Sequence, residues 1–295
     1  MFHDVSAAHH AHGFASYLTD PKDHQVATAW YDFTSADAWL QDRAYEIADH
    51  LGRVPEEKWV TIGDGRFGLD SIRLMAHGVI NAFATDIDET LLKDAKARGG
   101  LSNYRIEDAE RLSFQDKSFD YVFCKEALQQ CARPSLALYE MLRVAKKGVI
   151  LVEPNDRINS RVRRARALYK RLLGGPKVHM DINAYEKVGN YISSISPRTV
   201  EKIALALNIP QLAFKGLNDA YEPGDELASL NSARGRRMRR KIRFRDMLCE
   251  FRLDKYMFLM AAIFHSPVTR SQRTNMEKSG WKFEDLPRNP YITEQ

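Results

Sequence analysis

Between Lys58 and Pro154, short runs rich in Val, Ile, Phe and Tyr alternate with stretches of helical spacing. No other feature constrains the fold as strongly. KWVTIGD (58–64), INAFATDID (80–88), NYRIEDA (103–109), SFDYVFCKE (118–126) and GVILVEP (148–154) read as strands. GLDSIRLMAHG, ETLLKDAKARGG and PSLALYEMLRVAKK lie between them and read as helices. Strands separated by helices of about ten to fifteen residues are joined by crossovers, so the spacing predicts an open, mostly parallel α/β sheet.

The flanks are less regular. Residues 1–30 read as an irregular arm, and SADAWLQDRAYEIADHLG as one amphipathic helix capped by Ser35 and stopped at Gly52. Beyond Pro154, SISPRTVEKIALALNIP is predicted to be a helix, with Ser196 as its cap and Pro197 in its first turn. QLAFKGLND and KYMFLMAAIFHS (255–266) read as strands, with 222–254 as an inserted segment between them.

Net charge divides along the same line. Residues 1–155 carry 17 basic and 24 acidic side chains, whereas residues 156–295 carry 27 and 15. Two arginine-rich stretches, 157–177 and 234–245, account for most of the basic excess. Three cysteines without a CxxC pair argue against a disulfide framework or a zinc site. No metal is expected, because the spacing of His3, His9, His10 and His12 matches no ligand set. The longest apolar run, YMFLMAAIF, is far below the roughly 20 residues that span a bilayer. A cytoplasmic protein is therefore expected.

Chemistry concentrates where strands end. IGDGRFG, residues 62–68, follows the first strand and opens a helix. Glycines there allow close approach to a ligand, and the helix N-terminus offers backbone N–H groups to an anion. The second strand ends in Asp86, placed to accept hydrogen bonds from ribose hydroxyls, and the third leads to Asp108 within EDAERLSF. Either aspartate alone is equally well explained as a helix cap, but the ordered series is harder to explain that way.

From about Trp59 to Asp156 these stations together resemble the class I S-adenosylmethionine (SAM)-dependent methyltransferases of the small-molecule type. The resemblance implies a Rossmann-like, doubly wound, seven-stranded sheet with a helical basic cap formed by insertions. It divides the chain into an arm and helix (1–57), a cofactor-binding core (58–155) and a remainder (156–295) that completes the sheet and the cap. SAM would be the cofactor and S-adenosylhomocysteine the product. Gly63, Asp64, Gly65, Gly68, Asp86, Ile87, Asp108, Ala109 and Lys125 fall at the cofactor stations. Two positions depart from the family: Thr61 stands where an acid is usual, and Phe67 where glycine is frequent. Asp64 is a candidate replacement for the missing charge.

For a general base the candidates are Glu126, Glu153 and His179, each with a plain rival role as helix cap, ion-pair partner or loop residue. For the acceptor, Arg163, Arg164, Arg239 and Arg240 are candidate contacts, since arginine suits phosphate and carboxylate. O-methylation of an acidic or phosphorylated small molecule or glycan is the leading expectation. An RNA methyltransferase, a non-catalytic SAM-binding protein, and a basic patch that serves a homodimer contact remain open.

Overall fold

The computed structural model describes residues 17–156 and 191–291, together with Ala165, Leu168, Tyr169, Arg171 and Leu172. Its strands are β1 (Lys58–Ile62), β2 (Asn81–Asp86), β3 (Tyr104–Ile106), β4 (Phe119–Lys125), β5 (Ala145–Pro154), β6 (Gln211–Leu217), β7 (Phe258–Phe264) and β8 (Lys282–Asp285). Around them lie α1 (Pro21–Ala29), α2 (Ala36–Asp42), α3 (Ile47–Leu51), α4 (Leu69–Ala76), α5 (Thr90–Ala97) and α6 (Pro134–Val144), followed by α7 (Pro197–Ala206), α8 (Ala233–Glu250) and α9 (Arg270–Lys278).

All eight strands form one sheet in the order β3-β2-β1-β4-β5-β7-β6-β8. The first five are parallel; β7 runs antiparallel to both β5 and β6. Alternate side chains point to opposite faces. Val60, Val122, Val149 and Ala261 enter a core roofed by α6 and α7. Trp59, Phe123, Ile150 and Met260 enter another beneath α3 and α9. Both faces are covered, as a parallel sheet requires. The chain order reverses between β1 and β4, which opens a crevice at their carboxyl ends.

Three expectations change. The sheet has eight strands rather than seven, because KFED pairs antiparallel with β6 at the far edge. Four mostly polar residues carry no strand signal; Asp285 is held there by Gln211 (2.7 Å) and Arg273 (2.8 Å). The arm is helical over Pro21–Ala29, since Asp20 accepts from the backbone N–H groups of Lys22 and Asp23. The helix expected from Ser35 to Gly52 breaks into α2 and α3. Ser35 does cap it, accepting from the Ala38 N–H, but at the break Arg43 donates to the Asn218 carbonyl and Tyr45 turns into the core.

His77, just beyond α4, ties this corner down. Its Nε2 lies 3.0 Å from Asp42 and its Nδ1 3.2 Å from Asp49. Only the imidazolium can donate in both contacts at once, and the hydrogen bond to Asp42 foremost raises the His77 pKa above its ordinary value. A raised histidine contributes stability in full below about pH 6.5 and loses it as pH rises through the folded value. His77→Gln is therefore expected to cost about 1 kcal/mol under mildly acidic conditions and progressively less at alkaline pH, read from paired thermal melts across that range.

Candidate active site

The turn after β1 is built around one buried carboxylate. Asp64 points inward, where its Oδ1 accepts from the Asp70 N–H (2.9 Å). Its Oδ2 accepts from the Ser71 N–H (2.9 Å) and from the hydroxyls of Ser71 (2.7 Å) and Thr61 (2.8 Å). Burial, and then the nearby charge of Asp70, push the Asp64 carboxyl up to about 8. An acid thus sits three residues beyond Thr61 and reaches back to the threonine. It also overturns the expectation of open helix-terminal donors, because Asp64 occupies two amides of the first turn of α4.

Glycine at position 63 has a tertiary cause. Its φ is +78°, and a Cβ there would stand 2.1 Å from the Ala127 Cβ, so the β1 and β4 turns are in direct contact. Phe67 adopts the left-handed conformation (φ 60°) in spite of its side chain, at a cost of about 1–2 kcal/mol. Its ring is buried against Trp30 (6.4 Å between ring centres) and Tyr31 (6.0 Å), which offsets that cost and fastens the arm to the turn.

Glu126 follows β4 with φ 55°, and its carboxylate meets the Lys125 Nζ at 2.6 Å. Burial alone would raise its pKa; Lys125 and Arg66 more than cancel this and hold it below the ordinary glutamate value. Glu153 is fully buried and accepts from the N–H groups of Ala127 (3.1 Å), Leu128 (2.9 Å) and Gln129 (3.3 Å). Through these bonds it holds the short 3-10 turn Leu128–Gln130. Its place is underneath the β4 turn, and it is not among the residues lining the cleft over that turn. His179, Arg163 and Arg164 lie outside the described residues.

A cleft of about 450 Å³ opens over these turns. Tyr17 and Trp30 of the arm form one side, and Asp37 and Gln41 of α2 another. Arg66, Asp70, Lys125 and Glu126 form the floor, with Tyr221 and Glu226 opposite. Arg66 lies over the Trp30 ring, 5.3 Å from its centre. Tyr45 donates to Asp70, and Tyr221 to Glu226. Asp37 is buried at 5% exposure, and desolvation raises its pKa.

Of the residues expected at cofactor stations, Lys125 lines this cleft. Gly63, Gly65 and Gly68 shape the turn beside it; Asp86 and Ile87 stand at the end of β2. Asp108 lies two residues past β3, where its carboxylate accepts from the Glu110 N–H (2.9 Å), and Ala109 packs against the core. Arg239 and Arg240 sit on α8 and are not among the cleft's lining residues. Asp37, Asp70, Tyr221 and Glu226 were not singled out by sequence. Asp70 had a usable signal, standing two residues beyond the glycine turn; Tyr221 and Glu226 reach the cleft only through the return of a distant loop.

Residues 60–152 match the family model of a methyltransferase domain. Over 106 residues the chain is 34% identical to a demethylmenaquinone methyltransferase of Renibacterium salmoninarum, covering 36% of this chain and 44% of that protein. Over 65 residues it is 38% identical to a malonyl-[acyl-carrier protein] O-methyltransferase of Erwinia pyrifoliae, covering 22% and 25%. The chain thus spans less than half the length of these relatives. A solved SAM-dependent methyltransferase from Mesorhizobium loti aligns over 74% of this chain and 95% of its own, at 16% identity and a TM-score of 0.47. Among the described residues no His, Cys, Asp and Glu cluster suits a metal ion.

The contact between the two turns yields a test. Gly63→Ala combines a strained φ with a collision and is expected to lose about 2–4 kcal/mol in urea unfolding. Adding Ala127→Gly removes the collision and leaves the backbone cost, so the double variant should recover part of that loss.

Proposed function

We propose that the chain is a SAM-dependent methyltransferase whose acceptor enters the cleft between the arm, α2 and the Tyr221–Glu226 loop. The observation that carries this reading is the convergence of the glycine turn, Asp86 and the Lys125–Glu126 turn at the switch point of the sheet, beside a cleft of about 450 Å³. These residues fit the cofactor. Asp86 stands where a ribose would be held, and the carboxylates lining the cleft suit a cationic ligand. With two amides of α4 occupied by Asp64, Arg66 is the group that would receive the cofactor's carboxylate. SAM supplies an activated methyl group, so the chain's own tasks are positioning, exclusion of water and removal of a proton.

Asp37 is the best placed base. It lines the cleft, is almost fully buried, and burial raises its pKa toward the value a base needs near neutrality. Glu126 is held low by its cations and is better suited to orienting the acceptor or Lys125.

The lining supports a neutral or cationic acceptor more than an anionic one. It holds Asp23, Asp37, Asp70, Glu126, Asp219 and Glu226 against Arg66, Arg73 and Lys125. Six carboxyl groups thus stand against three cations, and no cationic surplus results. Arg73 faces Asp42 (3.7 Å) and Lys125 faces Glu126. An acidic or phosphorylated acceptor would find little to neutralise it among the described residues. The two curated relatives are named for different acceptors and do not choose between classes.

Calorimetry with SAM and S-adenosylhomocysteine is expected to show binding, weakened at least tenfold by Asp86→Ala and by Arg66→Ala. Asp37→Asn should keep cofactor affinity and lower turnover by about 10²–10⁴-fold on a panel of phenols, polyols and amines. No binding of either nucleoside would refute the reading; unchanged turnover in Asp37→Asn would refute the base.

A further inference from the structure

We propose that the outward face of α8 docks the protein on an anionic lipid surface. On a helix that advances 100° per residue, Arg236, Arg240, Arg243, Phe244, Met247 and Phe251 fall within an arc of about 100°. Met238, Ile242 and Cys249 project from the opposite side and are buried; Met238 and Ile242 meet Leu40 and Ala36 of α2. The six outward residues are all exposed, Phe244 at 57% and Phe251 at 70%. Met247 and the following Leu253 are exposed as well, and Arg237 flanks the arc. Glu250 at its margin is the acidic residue on that side.

Charge and apolarity on one exposed face narrow the partner. A solvated helix face needs neither two phenyl rings nor a row of arginines. A face that carries both is suited to a bilayer boundary, where cations meet anionic headgroups and apolar side chains enter the acyl region. A nucleic acid would use the arginines and could stack on phenylalanine, but Met247 and Leu253 offer no ring for a base. The apolar group is gathered at the C-terminal end of the face, so insertion there and headgroup contact along Arg236–Arg243 would occur together.

The same helix buttresses the cleft. Arg234 pairs with Asp225, Lys241 meets Glu222 at 3.0 Å, and Asn218 donates to Asp246 at 2.8 Å. Arg245 donates to the Asp219 carbonyl. These bonds fix residues 218–226, the cleft wall next to α2, on the inner side of the docking helix. A docked protein would hold the cleft close to the lipid surface. The docking itself rests on the surface of α8 and not on methyl transfer.

Flotation of the full chain with phosphatidylcholine vesicles, with and without about 30 mol% phosphatidylglycerol, tests this directly. Binding to the anionic vesicles is expected, partly surviving high salt through the apolar residues. Arg236→Gln/Arg240→Gln/Arg243→Gln should weaken it by about a hundredfold, at roughly fivefold for each cation. Phe244→Ser/Phe251→Ser should abolish the salt-resistant part. A control with the same net charge, Lys202→Gln/Lys278→Gln/Lys282→Gln, removes exposed cations elsewhere and should bind as the unaltered chain does. Equal loss in the control, unchanged binding after removal of the phenylalanines, or retention of bulk tRNA in place of vesicles would each overturn the proposal.

Discussion

The site depends on the carboxylate of Asp64 buried inside the glycine turn. Four donors from Thr61, Asp70 and Ser71 converge on it, so the end of β1, the turn and the first residues of α4 are one rigid unit. A buried polar group is tolerated only when its bonds are satisfied. Here the satisfied carboxylate takes up the helix-terminal donors that an open turn would present to a ligand. In the proposed reading, recognition falls to side chains that line the cleft, above all Arg66.

A second buried carboxylate plays the matching part across the crevice. Glu153 gathers three amides after β4, which sets the turn that carries Lys125 and Glu126 and brings Ala127 against Gly63. Glu110 likewise accepts from the backbone and the guanidinium of Arg133, both at 2.6 Å, and so anchors the start of α6. Several acids of the first half thus serve the frame itself. The acidic balance of residues 1–155 is in part the cost of capping tight turns, and only in part a provision for a cationic ligand.

The basic half is divided differently from what composition suggests. Some of its cations, Arg234, Lys241 and Arg245, hold the cleft wall from behind. Others, Arg236, Arg240 and Arg243, face outward beside phenylalanines. Neither group lines the cleft, whose described walls carry more carboxylates than cations. Net charge along a sequence therefore says little about the charge of the pocket.

Local signals carried much of this protein. Runs rich in Val, Ile, Phe and Tyr and the helices between them announced the parallel core, and spacing alone put Gly63, Asp86 and Asp108 at or just past strand ends, because both follow from neighbours in the chain. β8 went unseen because four mostly polar residues become a strand only when β6 offers them an edge. Glu153 read as a possible base because its amide partners lie some 25 residues away. Asp37, Tyr221 and Glu226 meet at one cleft only after α2 and the loop beyond β6 close over the turns. What sequence alone determined was the framework, which is a matter of periodicity. Which carboxylates face inward as caps and which face the cleft was decided by tertiary contact, because burial and long-range donors set a side chain's charge and direction.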